Sequence, residues 1–410
     1  MDYTRRALLA GIACCAVLAT PAWARGSRDA TEHAPSKAPQ LGTGFAVDAQ
    51  GRLWSARVEA VAEQDAGSAD CNIVLAWSAD DGKTWTATGT VLSVPEPVEA
   101  NGEGRPKLAF GPAGQLYLTF TRPLGKPHTG HIRFVRSTDG GRTFSAPVTV
   151  QHDLSVSGHR FDSLIVDREG RIFIAWIDKR DGDIARAAKR QYQGAAIYYT
   201  VSIDGGATFA TDARLADNAC ECCRISLALN SKGQVVAMWR HIFAPNIRDH
   251  ASAILSTAGL PGAMSRVSFD DWRIDACPHH GPSHAFDGDG RRHQVWFSGA
   301  EEGGGLFYSA PSPDGRAGQP VRLGGAQASH GDVIAAGRRI VIVWKEFDGQ
   351  MTQVNARLSD NGGKTWRERA LAATRGASDH PHLLLSGAGI LLAWCTGDDN
   401  VIVRKIEAQS

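Results

Sequence analysis

The sequence predicts an all-β fold, a single β-propeller of four-stranded blades, on three observations. A strand, Gly-turn, strand pattern recurs seven times, a second turn motif recurs four times, and no long segment of helical period separates the strands. Seven copies argue for seven blades, with six as the alternative. At 410 residues and 43% hydrophobic content the chain can bury a sizeable core.

In chain order, residues 1–24 read as a signal peptide. Arg5 and Arg6 precede an apolar run from Ala7 to about Thr20, and Ala22-Trp23-Ala24 supplies a small-x-small cleavage site. Thr4-Arg5-Arg6-Ala7-Leu8-Leu9 also fits a weak twin-arginine signal, a route that exports folded proteins. A lipoprotein site at Cys14 would need a Leu where Gly11 stands. The expected location is therefore periplasmic or secreted. Residues 25–40, rich in Ser, Ala, Pro and charge, read as a flexible lead-in, and the propeller is expected over 41–410.

The first-turn glycines are Gly51, Gly114, Gly170, Gly233, Gly290, Gly337 and Gly389. Each sits between two apolar strands, the second often ending in Trp, as in Leu164 to Trp176 and Leu227 to Trp239. These are hairpin signals, because Asp or Asn with Gly supplies the positive φ of a tight turn. The last blade is short, with strands expected over Leu383 to Trp394 and Val401 to Ile406, so the N-terminal segment is expected to add its outer strand and close the ring.

The second motif is Ser-x-Asp-x-Gly-x-Thr-aromatic. It reads Ser78-Asp80-Gly82-Thr84-Trp85, Ser137-Asp139-Gly141-Thr143-Phe144, Ser202-Asp204-Gly206-Thr208-Phe209 and, with Asn for Asp, Ser359-Asn361-Gly363-Thr365-Trp366. The side chains should bond local backbone between the third and fourth strands, with the aromatic plugging into its own blade. On these four copies the chain resembles the sialidase or neuraminidase superfamily, whose Asp-box (BNR) repeats sit at that turn. The resemblance spans essentially the whole mature chain and implies the fold more than the chemistry.

A propeller brings the starts of its innermost strands to one mouth. The residues there include Glu103 and Arg105; His159, Arg160 and Asp162; Cys220, Cys222, Cys223 and Arg224; Cys277, His279, His280 and His284; His330 and Asp332; and Asp379, His380 and His382. Three readings follow. The resemblance implies an exo-sialidase or other glycoside hydrolase, with Arg105, Arg160 and Arg224 clamping a carboxylate and Glu103 or Asp162 nearby. The family's first-blade Arg-Ile-Pro stretch is absent, Leu41-Gly42-Thr43-Gly44-Phe45 standing there, and Tyr308 belongs to a third strand rather than to the pocket.

The second reading is a copper or zinc site built from Cys220, Cys222, Cys223, Cys277 and some of His159, His279, His280, His330 and His380. Its competitor is disulfides, the default in an oxidising compartment, joining the 220–223 loop to cysteines such as Cys277. A Cys71–Cys395 disulfide is expected across the ring closure. The third reading is a binding module without chemistry. With 44 basic against 43 acidic residues the chain has no bias toward nucleic acid, and no mature segment is apolar enough to span a membrane. A monomer meeting a small-molecule, glycan or metal ligand is expected.

Overall fold

The computed structural model describes residues 41–61, 70–311, 318–387 and 389–408. The expected signal peptide and lead-in lie outside them. The described strands form seven antiparallel sheets, each running outward in chain order. The first blade is Gly44–Val47, Leu53–Ala60, Cys71–Ser78 and Thr86–Thr90. Five more four-stranded blades follow, and the seventh has three strands, His382–Ser386, Gly389–Thr396 and Asn400–Ile406. No outer strand completes it among the described residues, and the segment expected to supply one lies outside them.

All seven first-turn glycines take positive φ, from +60° at Gly337 to +125° at Gly389, as their hairpins require. The core lies between blades rather than within one. Tyr117, Phe134 and Val150 of the second blade meet Ile172, Ile174 and Trp176 of the third, because each strand pair shows alternate side chains to each neighbouring blade. One α-helix, Arg180–Ala187, departs from the all-β expectation among the described residues. Asp178 accepts from the Arg180 amide at 2.9 Å, and Asp181 and Asp183 lie in the helix's first turn, where its dipole favours negative charge.

The four boxes share one geometry. In the third, Asp204 accepts from the Ser202 hydroxyl at 2.8 Å, the Thr208 amide at 3.0 Å and the Thr208 hydroxyl at 2.6 Å. Asn361 reproduces the pattern, its Nδ2 donating to Thr365 Oγ1 at 2.8 Å. The aromatics depart from expectation, since Phe209 packs edge-on to Phe134 of the preceding blade and Trp366 packs on Tyr308 of the blade before its own. The box glycine explains the approach: a Cβ on Gly206 would lie 2.5 Å from the Phe134 ring. Each box is thus also a contact between blades.

Polar links join neighbouring blades near the axis. Thr119 Oγ1, on the second strand of its blade, donates to Asp162 at 2.5 Å, Ser163 Oγ to the Ile225 carbonyl at 2.5 Å, and Ser283 Oγ to Asp332 at 2.6 Å. Asp332 also accepts from the Leu383 amide at 2.8 Å, tying the fifth, sixth and seventh blades.

The expected Cys71–Cys395 disulfide is not formed, and none of the six described cysteines is disulfide-bonded. Cys71 packs with Val91, Leu92 and Val98 in the core shared with the second blade. Cys395 lies on the seventh blade and bonds toward Thr43. The side chain of Cys71 therefore faces the wrong neighbour.

Candidate functional site: a thiol group and a histidine stack

The loop before the fourth blade folds Cys220, Cys222 and Cys223 together. Their sulfurs stand 3.8, 4.0 and 3.7 Å apart, and all three residues are buried. They sit in the apolar core between the third and fourth blades, and Arg248 Nη1 donates to Cys220 Sγ at 3.7 Å. Cys277, exposed in the segment leading to the fifth blade, bonds toward Cys222. Bonds from Cys222 and Cys223 hold the Cys220 thiol well below its ordinary range, helped by the Arg240 and Arg248 charges, while the bond to Cys220 pushes Cys222 up. One sulfur is thus favoured as thiolate with two thiols donating to it.

A second group forms from residues that open or enter other blades. His330 stacks on His380 with ring centroids 3.6 Å apart and on His280 at 4.3 Å, and His280 lies against Phe297 at 4.1 Å. Glu103 is buried beneath them, its Oε1 at 3.6 Å from His380 Nδ1 and 3.9 Å from His330 Nδ1. Burial first, then nearby cationic groups, drives all three imidazoles down, His280 to about 3. They are neutral at physiological pH.

The sequence reading placed these groups at one ion, and the structure divides them. The donor atoms of Cys220, Cys222 and Cys223 lie within 4.8 Å of one another, and those of Glu103, His330 and His380 do likewise as a separate group. His159 belongs to neither. Its Nδ1 is 2.9 Å from Asp178, whose carboxylate also takes Trp176 Nε1 and Arg180, so that imidazole is held in a structural network of the third blade. His279 is exposed at a backbone φ of +52°. His284 is buried, its Nδ1 2.8 Å from Ser226 Oγ as a link between blades.

Each of the three candidate arginines faces a carboxylate of the protein itself. Arg105 is buried and donates to Asp379 at 2.9 Å, to the Gly102 carbonyl at 2.6 Å and to the Thr43 carbonyl at 3.2 Å, and it also meets His382 Nε2. Arg160 forks onto Glu99 and lies over the Phe161 ring. Arg224 binds Glu103 through both its amide, at 2.8 Å, and its guanidinium, at 3.0 Å. These are loop tethers, and no two of the three share a carboxylate. Tyr308 lies on the third strand of its blade, as expected, 2.7 Å from His293 Nδ1.

Sequence reading missed Lys107 and Arg240. Lys107, on the innermost strand of the second blade, donates to the Arg105 carbonyl at 2.5 Å, and its amine is driven down to about 8 by burial, opposed most by the charge of Asp162. Arg240, buried and over the Trp272 ring, donates to the carbonyls of His280, Phe297 and Arg248. The charged residue at an inward position of a strand was the available signal for both.

No protein-family model matches the chain, and no curated protein matches it in sequence. Among solved structures it is similar to the GH93 α-L-arabinofuranosidase of Fusarium graminearum in complex with arabinobiose, at 14% identity and a TM-score of 0.50, over 82% of this chain and 92% of that one. It is also similar to an ulvan lyase of polysaccharide lyase family PL25, at 11% identity and a TM-score of 0.51, over 88% and 90%. The NanB sialidase of Streptococcus pneumoniae aligns at 10% identity and a TM-score of 0.46, over 75% of this chain and 65% of that one. At such identities the likeness is one of fold. The chain is a seven-bladed propeller and shares the β-propeller fold of the arabinofuranosidase and the lyase.

Proposed function

We propose that this chain is an exported propeller that holds a soft transition metal, copper(I) or zinc, on Cys220, Cys222 and Cys223 with Cys277 as the fourth ligand, and that it lacks ordinary sialidase chemistry. One observation carries the reading. Metal–sulfur bonds of about 2.3 Å set sulfurs about 3.8 Å apart in a tetrahedron and about 4.0 Å apart in a trigonal plane. The three sulfurs are separated by 3.7 to 4.0 Å, well beyond the ~2.05 Å of a disulfide. Thiolates favour copper(I) and zinc over hard cations. In an oxidising compartment, adjacent thiols persist when a metal occupies them, and a folded-export route would allow loading before export. The engagement of Arg105, Arg160 and Arg224 with Asp379, Glu99 and Glu103 supports the second half of the proposal.

The test is metal analysis of the purified chain with cadmium as a spectroscopic stand-in. One equivalent should give an ultraviolet sulfur-to-cadmium charge-transfer band, and a Cys222→Ser, Cys223→Ser variant with an intact cooperative melt should lose it. A chain that takes up neither copper nor zinc, or whose band survives that substitution, would overturn the proposal. Turnover of a fluorogenic sialoside would restore the arginine-based reading.

A further inference from the structure

We propose that Glu103, His330 and His380 form a second cation site, chemically distinct from the thiol group, that takes a borderline divalent ion such as Zn2+ or Cu2+. Its donors come from three blades: Glu103 leads into the second, His330 lies within the sixth and His380 leads into the seventh. The Oε1 of Glu103 lies 3.6 Å and 3.9 Å from the two Nδ1 atoms. Ligand bonds of about 2.0 to 2.2 Å in a tetrahedral set require separations of about 3.3 to 3.6 Å, so the carboxylate is near ligating distance, and the two imidazoles, stacked at 16° to one another, must rotate out of that stack to turn both Nδ1 lone pairs on one ion.

The imidazoles themselves point to a ligand. Nδ1 of His280, of His330 and of His380 are all buried and find no hydrogen-bonding partner among the described residues. A buried polar atom left without a partner costs about 1 to 3 kcal/mol, and two of these three, on His330 and His380, face the same Glu103 oxygen. An ion taken up between Glu103, His330 and His380 satisfies two of them. His280 stacks on both Phe297 and His330 and so braces His330 against that ring.

Backbone geometry aims the same residues. His330 holds φ at +50°, in the left-handed region that non-glycine residues rarely occupy, at the irregularity between Ser329 and Asp332 in the strand pairing. Bulges of this kind redirect a side chain off the regular alternation. Gly102 lets the backbone lie against His380, since a Cβ there would sit 2.4 Å from the ring.

The Arg224 guanidinium is matched by Glu103 and the Arg105 guanidinium by Asp379, so a cation enters against the remaining Lys345 charge; Glu103 Oε1 accepts one bond from Arg224 at 3.0 Å, leaving a second lone pair for an ion. Imidazole with carboxylate suits zinc and copper(II) rather than copper(I), which separates this site from the sulfurs by the oxidation state of the copper each would take. Three protein ligands leave coordination positions for water or a ligand oxygen, the arrangement of zinc sites that do chemistry rather than hold structure.

The inference rests on its own donors and is tested without the thiols. The full chain with Cys220, Cys222 and Cys223 all changed to Ser is stripped with chelator and titrated with Cu2+ and, separately, Zn2+. The expected result is one equivalent of each, with an electron paramagnetic resonance spectrum of the copper form split by two imidazole nitrogens. His330→Ala and His380→Ala should each weaken Zn2+ binding by about tenfold or more, and His152→Ala, exposed between the second and third blades, should not. Absence of the nitrogen splitting, or unchanged Zn2+ affinity in His330→Ala, overturns the inference. Should the triple variant lose its cooperative melt, the same His330→Ala comparison is made in the unaltered chain and read by the nitrogen splitting, which sulfur-bound copper(I) does not give.

Discussion

Lys107 shows what burial does to one residue. Its amine is pulled to about 8 by desolvation against a partial opposing effect of Asp162, whose own carboxyl burial pushes up. An unperturbed lysine titrates near 10.4, so between about pH 8 and pH 10 the unfolded chain binds more protons at this position than the folded one. Stability from this residue therefore rises with pH across that window and is lowest below it, where the buried ammonium must be kept charged. Lys107→Met should flatten the pH dependence of the urea midpoint between pH 8 and 10 relative to the unaltered chain. An identical slope in both proteins would show that the amine is solvated.

At the scale of an element, the box turn is a local staple and a joint between blades. The Asp204 carboxyl is held below its ordinary range, first by the Thr208 hydroxyl and then by the Thr208 amide. Because the folded value is depressed, the stabilisation is complete above the unfolded value near 3.9 and is lost as pH falls through the folded one. Asp204 is almost wholly in solvent, so Asp204→Ala is expected to cost only about 1 kcal/mol at neutral pH. Asp204→Asn should keep most of that, since Asn361 makes the same bonds in the sixth blade, and should remove this box's contribution to acid sensitivity below about pH 4. Paired melts at pH 7 and pH 3 check both statements, and neither variant should alter metal uptake.

At the scale of the molecule, stability depends on closing the ring. The Asp332 carboxylate is the acceptor that joins Ser283 of the fifth blade and the Leu383 amide of the seventh to the sixth. Asp332→Ala would leave those buried donors unsatisfied, at a cost of about 2 to 3 kcal/mol. The guanidinium midpoint should fall further than it does for Asp204→Ala, with the sulfur-to-cadmium band retained. A smaller fall than in Asp204→Ala would mean that the apolar surfaces between blades carry closure without this link.

The sequence by itself determined the propeller, the seven hairpin turns and the four boxes, because each depends on residues a few positions apart whose spacing sets the turn they make. Tyr308 as a strand residue was legible for the same reason. Proximity at the mouth was legible only as a set, since the start of an innermost strand always lies near the axis. Which members touch depends on the angle between blades and on local irregularities. His330 meets His380 across two blades through a bulge that no spacing rule announces, while His159, at an equivalent start, turns to Asp178. The separation of the sulfurs from the histidines, the pairing of each arginine with a carboxylate and the orientation of Cys71 toward the second blade were likewise decided by tertiary structure. Those contacts join residues tens to hundreds of positions apart, and only the closed ring fixes the distances between them.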